Sequence, residues 1–303
     1  MSSIPQPASQ PRLLSGTPIA ARIRAEVKRD VAAFRRRHGY APSLAVVLIG
    51  GDAPSAVYLQ QILKTCRSVG IEGRLVEIPG RDSNARIRRR LTELNEDPLV
   101  SGIIVQQPLP KRIPLATVIE TLDPAKDLDG IHPLNAGLLS LGYDGFLPAT
   151  AQASVEILKR SEVPLAGRHV VIVGRSNVVG KPAALLLLRE DATVSVVHSK
   201  TRDVAAMTRS GEIVVVAAGR PNFITGEMLR PGATVDDVDP DVDGRLVGDV
   251  DFDTAKAVVE AITPVPGGVG PVTNAILMRN VVRAAKAQAE ATTHHLRPLA
   301  VVR

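Results

Sequence analysis

The sequence predicts an α/β protein of two three-layer domains, each a parallel sheet with helices on its faces. Short apolar, β-branched runs alternate with amphipathic stretches along most of the chain, which is the pattern of strands joined by crossover helices. The 303 residues suffice for about two domains at roughly 150 each. The alternation restarts near residue 145, so residues 13–145 form one domain and 146–273 a second. The last stretch, 274–303, is helical in spacing and is expected to pack back on the first domain.

Each element has its own local reason. Residues 1–12 are rich in Ser, Pro and Gln, lack the apolar core of a secretory signal, and read as a flexible tail. Residues 19–38 carry Arg and Lys on one face of a helix that Gly39 and Pro42 stop. Residues 44–49 are a buried strand, broken by Gly50-Gly51-Asp52. Ser55 is then placed to cap a helix bearing Tyr58, Ile62, Lys64 and Cys66. Residues 73–78 and 102–105 are further strands around an Arg-rich helix at 84–94. Pro148 and Thr150 open a helix through Leu158. In the second series, strands fall at 168–174, 192–197, 213–217, 233–235 and 245–247, with helices at 182–188 and 202–209. The final helix runs from Asn274 to about residue 289, with Pro271 in its first turn.

Composition excludes several function classes. No apolar run approaches the ~20 residues that cross a bilayer, so no membrane role is expected. Aromatic content of 2%, with no Trp, argues against stacking platforms for nucleic acid. The net charge of +6 could attract a polyanion, but Arg35-Arg36-Arg37 and Arg88-Arg89-Arg90 read as solvated helix faces, and no nucleic-acid partner is expected. A single cysteine, Cys66, excludes an internal disulfide and fits a reducing cytoplasm; its apolar setting suggests a small buried hydrophobe. No His, Cys or carboxylate cluster has metal spacing, so no metal is expected, and His294-His295 reads as exposed tail.

Two glycine-rich segments carry chemistry. Gly174-Arg175-Ser176-Asn177-Val178-Val179-Gly180-Lys181-Pro182 follows an apolar strand and opens a helix, where a Rossmann unit binds a pyrophosphate on free helix amides. The second domain is therefore expected to be Rossmann-like, with Gly174, Arg175, Ser176, Val179 and Gly180 at the cofactor. An NAD-selective site has a carboxylate about 20 residues later. Here the next strand ends in His198-Ser199-Lys200-Thr201. Ser199 can donate to a 2′-phosphate and Arg175 is a cation that could reach it, so NADP is favoured. In the second segment, Thr263-Pro264-Val265-Pro266-Gly267-Gly268-Val269-Gly270-Pro271-Val272-Thr273, prolines stiffen the chain and glycines admit close approach to backbone.

With Ala53-Pro54-Ser55-Ala56-Val57-Tyr58, Val105-Gln106-Gln107-Pro108-Leu109-Pro110 and Lys126-Asp127-Leu128-Asp129-Gly130-Ile131-His132-Pro133, these segments resemble the bifunctional methylenetetrahydrofolate dehydrogenase/methenyltetrahydrofolate cyclohydrolase family in its bacterial form. The resemblance spans about residues 13–285. It implies NADP as cofactor, tetrahydrofolate derivatives as substrates, a folate-binding first domain, a cleft between the domains and a homodimer. It places Tyr58 against the folate's pterin and aminobenzoate, Asp129 under the pterin's amino and ring N–H groups, and Gln106 near the one-carbon bridge. Pro264, Gly267 and Gly268 would line the folate and nicotinamide.

The chain departs from that pattern at one decisive position. The family's catalytic lysine, one helical turn past the tyrosine, is Ile62 here. Lys64 lies two residues further on, about 200° around a helix, and faces elsewhere. Hydrolysis of the methenyl cation is thereby put in doubt, while hydride transfer, which rests on positioning, is not directly affected. Two further departures are Pro148-Ala149-Thr150-Ala151-Gln152-Ala153 and Asp237-Val238-Asp239-Pro240-Asp241, where Asp239 replaces a glycine. A fully bifunctional enzyme, a non-catalytic folate- and NADP-binding homologue, and a dehydrogenase with another substrate are the alternatives.

Overall fold

The computed structural model describes residues 10–50, 53–238, 241–242 and 245–295. The chain divides into two compact units, Ala21–Ala149 with Asn274–Arg303, and Met1–Ala20 with Thr150–Thr273.

The first unit is built on three parallel strands, with Ser43–Ile49 between Glu72–Ile78 and Gly102–Val105. All seven residues of Ser43–Ile49 are buried, which is why the sequence there is a continuous apolar run rather than an alternation. Ala45, Val47 and Ile49 pack with Ile87 and Leu91 of the helix Asn84–Glu96, which Ser83 caps by accepting from the Arg86 amide at 3.3 Å. The opposite face of that helix carries Arg89 and Arg90, both paired with Glu93 at 3.1 and 2.6 Å. The helix Ala53–Val69 begins two residues before Ser55, so Ser55 lies within its first turn rather than at its cap. The long helix Val269–His295 does pack on this unit: Met278 Sδ lies 3.5 Å from Cys66 Sγ, and Gln288 donates to Ser101 O at 2.7 Å. Cys66 is fully buried, and burial pushes its thiol up to about 12, the behaviour of a packing residue.

The second unit holds six parallel strands in the order Arg12–Leu13, Ala261–Ile262, Thr234–Asp237, Ile213–Val216, His169–Val173 and Thr193–Val197. His169–Val173 sends the chain first to one side, to Thr193–Val197, and later to the other, to Ile213–Val216. The crevice beside its C-terminal end is thus the topological switch point of a Rossmann-like sheet.

Four features differ here from the sequence expectations. Arg12 is not tail: its amide donates to Glu260 O at 2.8 Å and Leu14 to Ile262 O at 2.9 Å, which adds a strand to the sheet edge and draws the segment up to Ala20 into the second unit. Residues 1–9 of the tail lie outside the described residues. The strand expected at 245–247 is Arg245–Leu246, antiparallel to Asp241–Val242 and separate from the parallel sheet; Ala261–Ile262 takes the sheet position instead. Helices Leu115–Ile119, Pro133–Leu141 and Phe252–Ala255 have no counterpart in the sequence reading, being too short to show a period. The final helix starts at Val269, so Pro271 is its third residue, where no N–H is needed.

Candidate functional site

The glycine loop of the second unit stands at the switch point. Gly174 has φ +131°, and a Cβ there would lie 2.1 Å from Ala217 O on the neighbouring strand end. A Cβ on Gly180 would lie 2.3 Å from Gly174 O. Both positions therefore require glycine for backbone approach, the role such loops give it. Ser176 Oγ accepts from the amides of Val179 and Gly180 at 3.1 and 3.3 Å, and Ser176 O accepts from Lys181 N at 3.1 Å. The loop's own serine thus engages the first amides of the helix Gly180–Arg189, and an incoming phosphate would have to share them. Arg175 and Ser176 are exposed, as is Ser199 two residues beyond the strand Thr193–Val197. His198 is a turn former: its Nδ1 accepts from Lys200 N at 3.1 Å, and its own amide donates to Thr201 Oγ1 at 2.9 Å. That turn presents Ser199.

The proline-glycine segment is held at both ends. Thr263 is fully buried, and its Oγ1 accepts from Asp237 N at 2.7 Å. The Val265–Pro266 peptide is cis, Gly267 has φ +105°, and Gly267 O accepts from Gly16 N at 2.9 Å. Pro264 and Gly267 keep partly exposed surface, whereas Gly268 is buried and a Cβ on it would lie 2.6 Å from Pro264 O. Gly268 accordingly packs the loop; of the three expected residues Pro264 and Gly267 offer a surface, beside Val265 and the exposed Pro266.

Beneath these loops lie carboxylates the sequence reading missed. Asp236, Asp237 and Asp249 are all buried. Ser154 Oγ donates to Asp236 Oδ2, and Oδ1 has no partner among the described residues. Burial pushes Asp236 up to about 7. Asp237 is also pushed up to about 7, by burial first and by the charges of Asp249 and Asp236 after it, although it accepts from the Asp249 and Val250 amides at 3.0 Å each. Two adjacent Asp residues at the end of an apolar run were the available signal. Asp239 lies outside the described residues.

In the first unit the predicted residues gather at the C-terminal edge of the three-stranded sheet. Gln106 directly follows Gly102–Val105; its amide donates to Val47 O at 2.9 Å and its side chain to Gln107 O at 2.8 Å, before the cis Gln107–Pro108 peptide. Asp127 bridges in parallel to Ile103, and the chain then turns, with Gly130 N donating to Asp127 O at 3.3 Å, so Asp129 sits in the turn just past the bridge. Gly130, with φ +60°, turns the chain there, and a Cβ on it would lie 2.5 Å from Phe146 O. Partly exposed Asp129 is pushed up to about 7 by burial of its carboxyl and by the charge of Asp127. Asp127 is 1% exposed and accepts from His132 N at 2.8 Å and Asn135 Nδ2 at 2.9 Å, so it is a structural partner of the Asp129 turn. Lys126 turns inward, with Nζ donating to Asp97 O at 2.8 Å.

Tyr58 lies on the helix Ala53–Val69, which starts from the same sheet edge; its side chain is outside the described residues. One turn on, Ile62 is 0% exposed, between buried Leu59 and Cys66, while Gln61 and Lys64 are exposed. The helix therefore points Lys64 away from the face that holds Ile62.

Two family models match the chain. Residues 14–129 match the tetrahydrofolate dehydrogenase/cyclohydrolase catalytic domain, and residues 148–289 its NAD(P)-binding domain. The bifunctional protein FolD of Roseiflexus sp. (strain RS-1) is 49% identical over 285 residues, covering 93% of this chain and 99% of that protein. The FolD methylenetetrahydrofolate dehydrogenase/cyclohydrolase of Campylobacter jejuni superposes with TM-score 0.88 at 39% identity, over 91% of this chain and 99% of that one. The Trypanosoma brucei FolD structure, a complex with NADP cofactor and inhibitor, gives TM-score 0.88 at 37% identity, over 93% and 99%.

Proposed function

This chain belongs to the tetrahydrofolate dehydrogenase/cyclohydrolase family, and on that footing we propose that it oxidises 5,10-methylenetetrahydrofolate to 5,10-methenyltetrahydrofolate with NADP, with little or no cyclohydrolase activity. Bound NADP would supply the nicotinamide that accepts the hydride. The residues around the expected site suit that cofactor: Arg175 and Ser199 are exposed and polar, and the strand Thr193–Val197 ends without a carboxylate to repel a 2′-phosphate. Gly174 and Gly180 let the loop close tightly against Ala217 and on itself, which sets the start of the helix Gly180–Arg189 to meet a pyrophosphate, with Val179 and Ser176 shaping the loop between them.

On the folate side, ionised Asp129 accepts from the pterin's adjacent N–H donors, two charge-assisted bonds to one carboxylate. Tyr58 packs on the pterin and aminobenzoate, and Gln106 is the neutral polar group at the one-carbon bridge. Pro264, Gly267 and Gly268 belong to the substrate loop, the first two as its surface. Oxidation needs the methylene carbon held in place while nitrogen lone pairs help expel hydride, and it demands no protein acid or base. Hydrolysis does: water attacks, a proton moves, and a cation should stabilise the developing charge.

The observation that carries this division is Ile62, an apolar, fully buried side chain where a cation is required. The competing reading is a retained second activity, favoured by the relatives' bifunctional names and by the exposed Gln61 beside Ile62. The test is to form the methenyl compound with purified protein and NADP and follow its absorbance. Decay no faster than in buffer supports the proposal, and enzyme-dependent decay overturns it. We further infer a cytoplasmic homodimer acting in one-carbon metabolism. Its interface is assigned to the second unit, whose edge strand Thr193–Val197 exposes Val196.

A further inference from the structure

We propose that Asp249 is a positioning residue for the dinucleotide, acting through the backbone of residues 218–220. Its carboxylate is fully buried and is saturated by three consecutive amides: Oδ2 accepts from Ala218 N at 2.5 Å and Gly219 N at 2.8 Å, and Oδ1 from Arg220 N at 2.6 Å. All three donors are N–H groups, a set that the acceptor-only ionised carboxylate meets with the strongest, charge-assisted bonds. Burial holds the Asp249 carboxyl above the usual carboxylate range even though these three bonds and the nearby Arg220 charge pull it down, so the bonds offset only part of what it costs to bury the charge.

The segment that Asp249 holds is the far wall of the switch-point crevice. Ala217 N donates to Val173 O at 2.8 Å, and Ala217 O is the atom that a Cβ on Gly174 would strike at 2.1 Å. Residues 218–220 therefore leave the sheet directly beside the phosphate loop, with Gly219 at φ +64° making the turn and the Arg220 guanidinium 4.3 Å from the Phe223 ring centroid. Without an anchor, three successive outward amides beside a glycine would be mobile.

Asp249 is itself anchored. Its amide donates to Asp237 Oδ1 at 3.0 Å, Val250 N donates to Asp237 Oδ2 at 3.0 Å, and Asp237 N donates to Thr263 Oγ1 at 2.7 Å. Gly248 is required in this arrangement, because a Cβ there would lie 2.0 Å from Asp237 Oδ2. Thr263, Asp237 and Asp249 form one continuous brace, from the start of the proline-glycine loop to the wall opposite Gly174. Asp249 touches neither substrate nor cofactor; it fixes the backbone against which the dinucleotide is held.

This inference rests on reading the Gly174 loop as an NADP site, and the experiment separates the two. Binding of NADP and of a folate analogue is measured by titration calorimetry for wild type and Asp249→Asn, with kcat and KM alongside. The expected result is a rise of at least tenfold in the Kd and KM for NADP, with folate affinity and kcat at saturating NADP changed less than threefold. Asp249→Asn that binds NADP like wild type overturns the inference alone. Equal losses for both ligands also overturn it, since they report a general structural role. Wild type that binds no NADP overturns the site reading and the inference together. Should the variant fail to fold, hydrogen exchange on wild type decides: the amides of residues 218–220 are expected to be protected without cofactor at neutral pH, and exchange at the unprotected rate overturns the brace.

Discussion

Replacing Ile62 by lysine tests the division of activities and has a cost that the structure sets. Ile62 is 0% exposed, so losing its apolar contacts costs about 1.5–3 kcal/mol. The new ammonium enters a site between buried Leu59 and Cys66, where burial lowers its pKa from the usual value near ~10.4. The sign follows from linkage. Between the lowered folded pKa and the unfolded value the unfolded chain binds more protons, so stability rises with pH there. The destabilisation of Ile62→Lys should therefore be larger at pH 6 than at pH 9, and against a typical stability of about 5–15 kcal/mol the variant should still fold. Where the ammonium is charged it should accelerate decay of the methenyl compound by ~10²–10³-fold, the effect of one well-placed charge-stabilising group. The measurements are urea unfolding at the two pH values and methenyl decay at pH 6, with Ile62→Met as the volume-matched control, expected to cost under about 1.5 kcal/mol and gain nothing. Wild-type decay faster than buffer refutes the reasoning. So does a folded Ile62→Lys that hydrolyses no faster than Ile62→Met.

The other expectations concern the two loops and the buried carboxylates. Gly174→Ala puts a methyl 2.1 Å from Ala217 O at φ +131°, so the backbone must move by about an ångström; thermal unfolding should show a loss of ~2–5 kcal/mol and the KM for NADP should rise ~10²-fold, and a wild-type KM would contradict the loop's role. Because Asp129 is pushed up to about 7, the carboxylate that the pterin needs is lost as pH falls through that value: folate affinity, measured by calorimetry, should weaken up to about tenfold per unit below pH 7, and Asp129→Ala should bind weakly at every pH. Asp236, raised from 3.8 to about 7, holds its proton in the folded state, so its contribution to stability is lost as pH rises from about 4 through 7. Asp236→Asn should gain on wild type by up to ~2.5 kcal/mol between pH 5 and pH 8, as read from denaturant unfolding; a difference that does not change between the two pH values would show that Asp236 is not strained by its burial.

What the sequence revealed and what it hid divide along physical lines. Ser43–Ile49 and His169–Val173 were legible because a strand buried on both faces must be apolar throughout, and Asn84–Glu96 because its buried residues recur at helical spacing. Gly174 and Gly267 were legible as loop residues because a positive φ there needs glycine. The strand Arg12–Leu13 was not: two residues carry no period, and its pairing with Ala261–Ile262 depends on segments about 250 positions apart closing one sheet edge. Buried acids were hidden for a different reason. An aspartate in a sequence reads as turn or surface, since an unpaired buried charge is costly. Only the fold shows that Asp249 finds three amides and Asp237 two.

The same contrast separates the two halves of the candidate site. A motif records which residue stands at a position, and from that the Ile62 departure could be read directly. It does not record how much solvent or polar company that position has, and the rate argument turns on this second quantity. If Ile62 stood in water, its loss of charge could be made good by any mobile cation or by solvent. Sealed at 0% exposure, with Lys64 turned outward on the same helix, it leaves no route for a neighbouring ammonium to return to that face without unwinding the helix between them. The carboxylate and glycine positions proposed for binding and hydride transfer are each held locally: Asp129 in the turn after the Ile103–Asp127 bridge, Gly174 and Gly180 in close backbone contact, Gly267 tied to Gly16. The loop glycines do not bear on the choice between one reaction kept and both lost, because each is required by the packing of its own loop: a Cβ on Gly174 or Gly180 would strike backbone whether or not the chain turns over substrate. The proposed division between the two reactions therefore rests on Ile62, and on its burial more than on its identity.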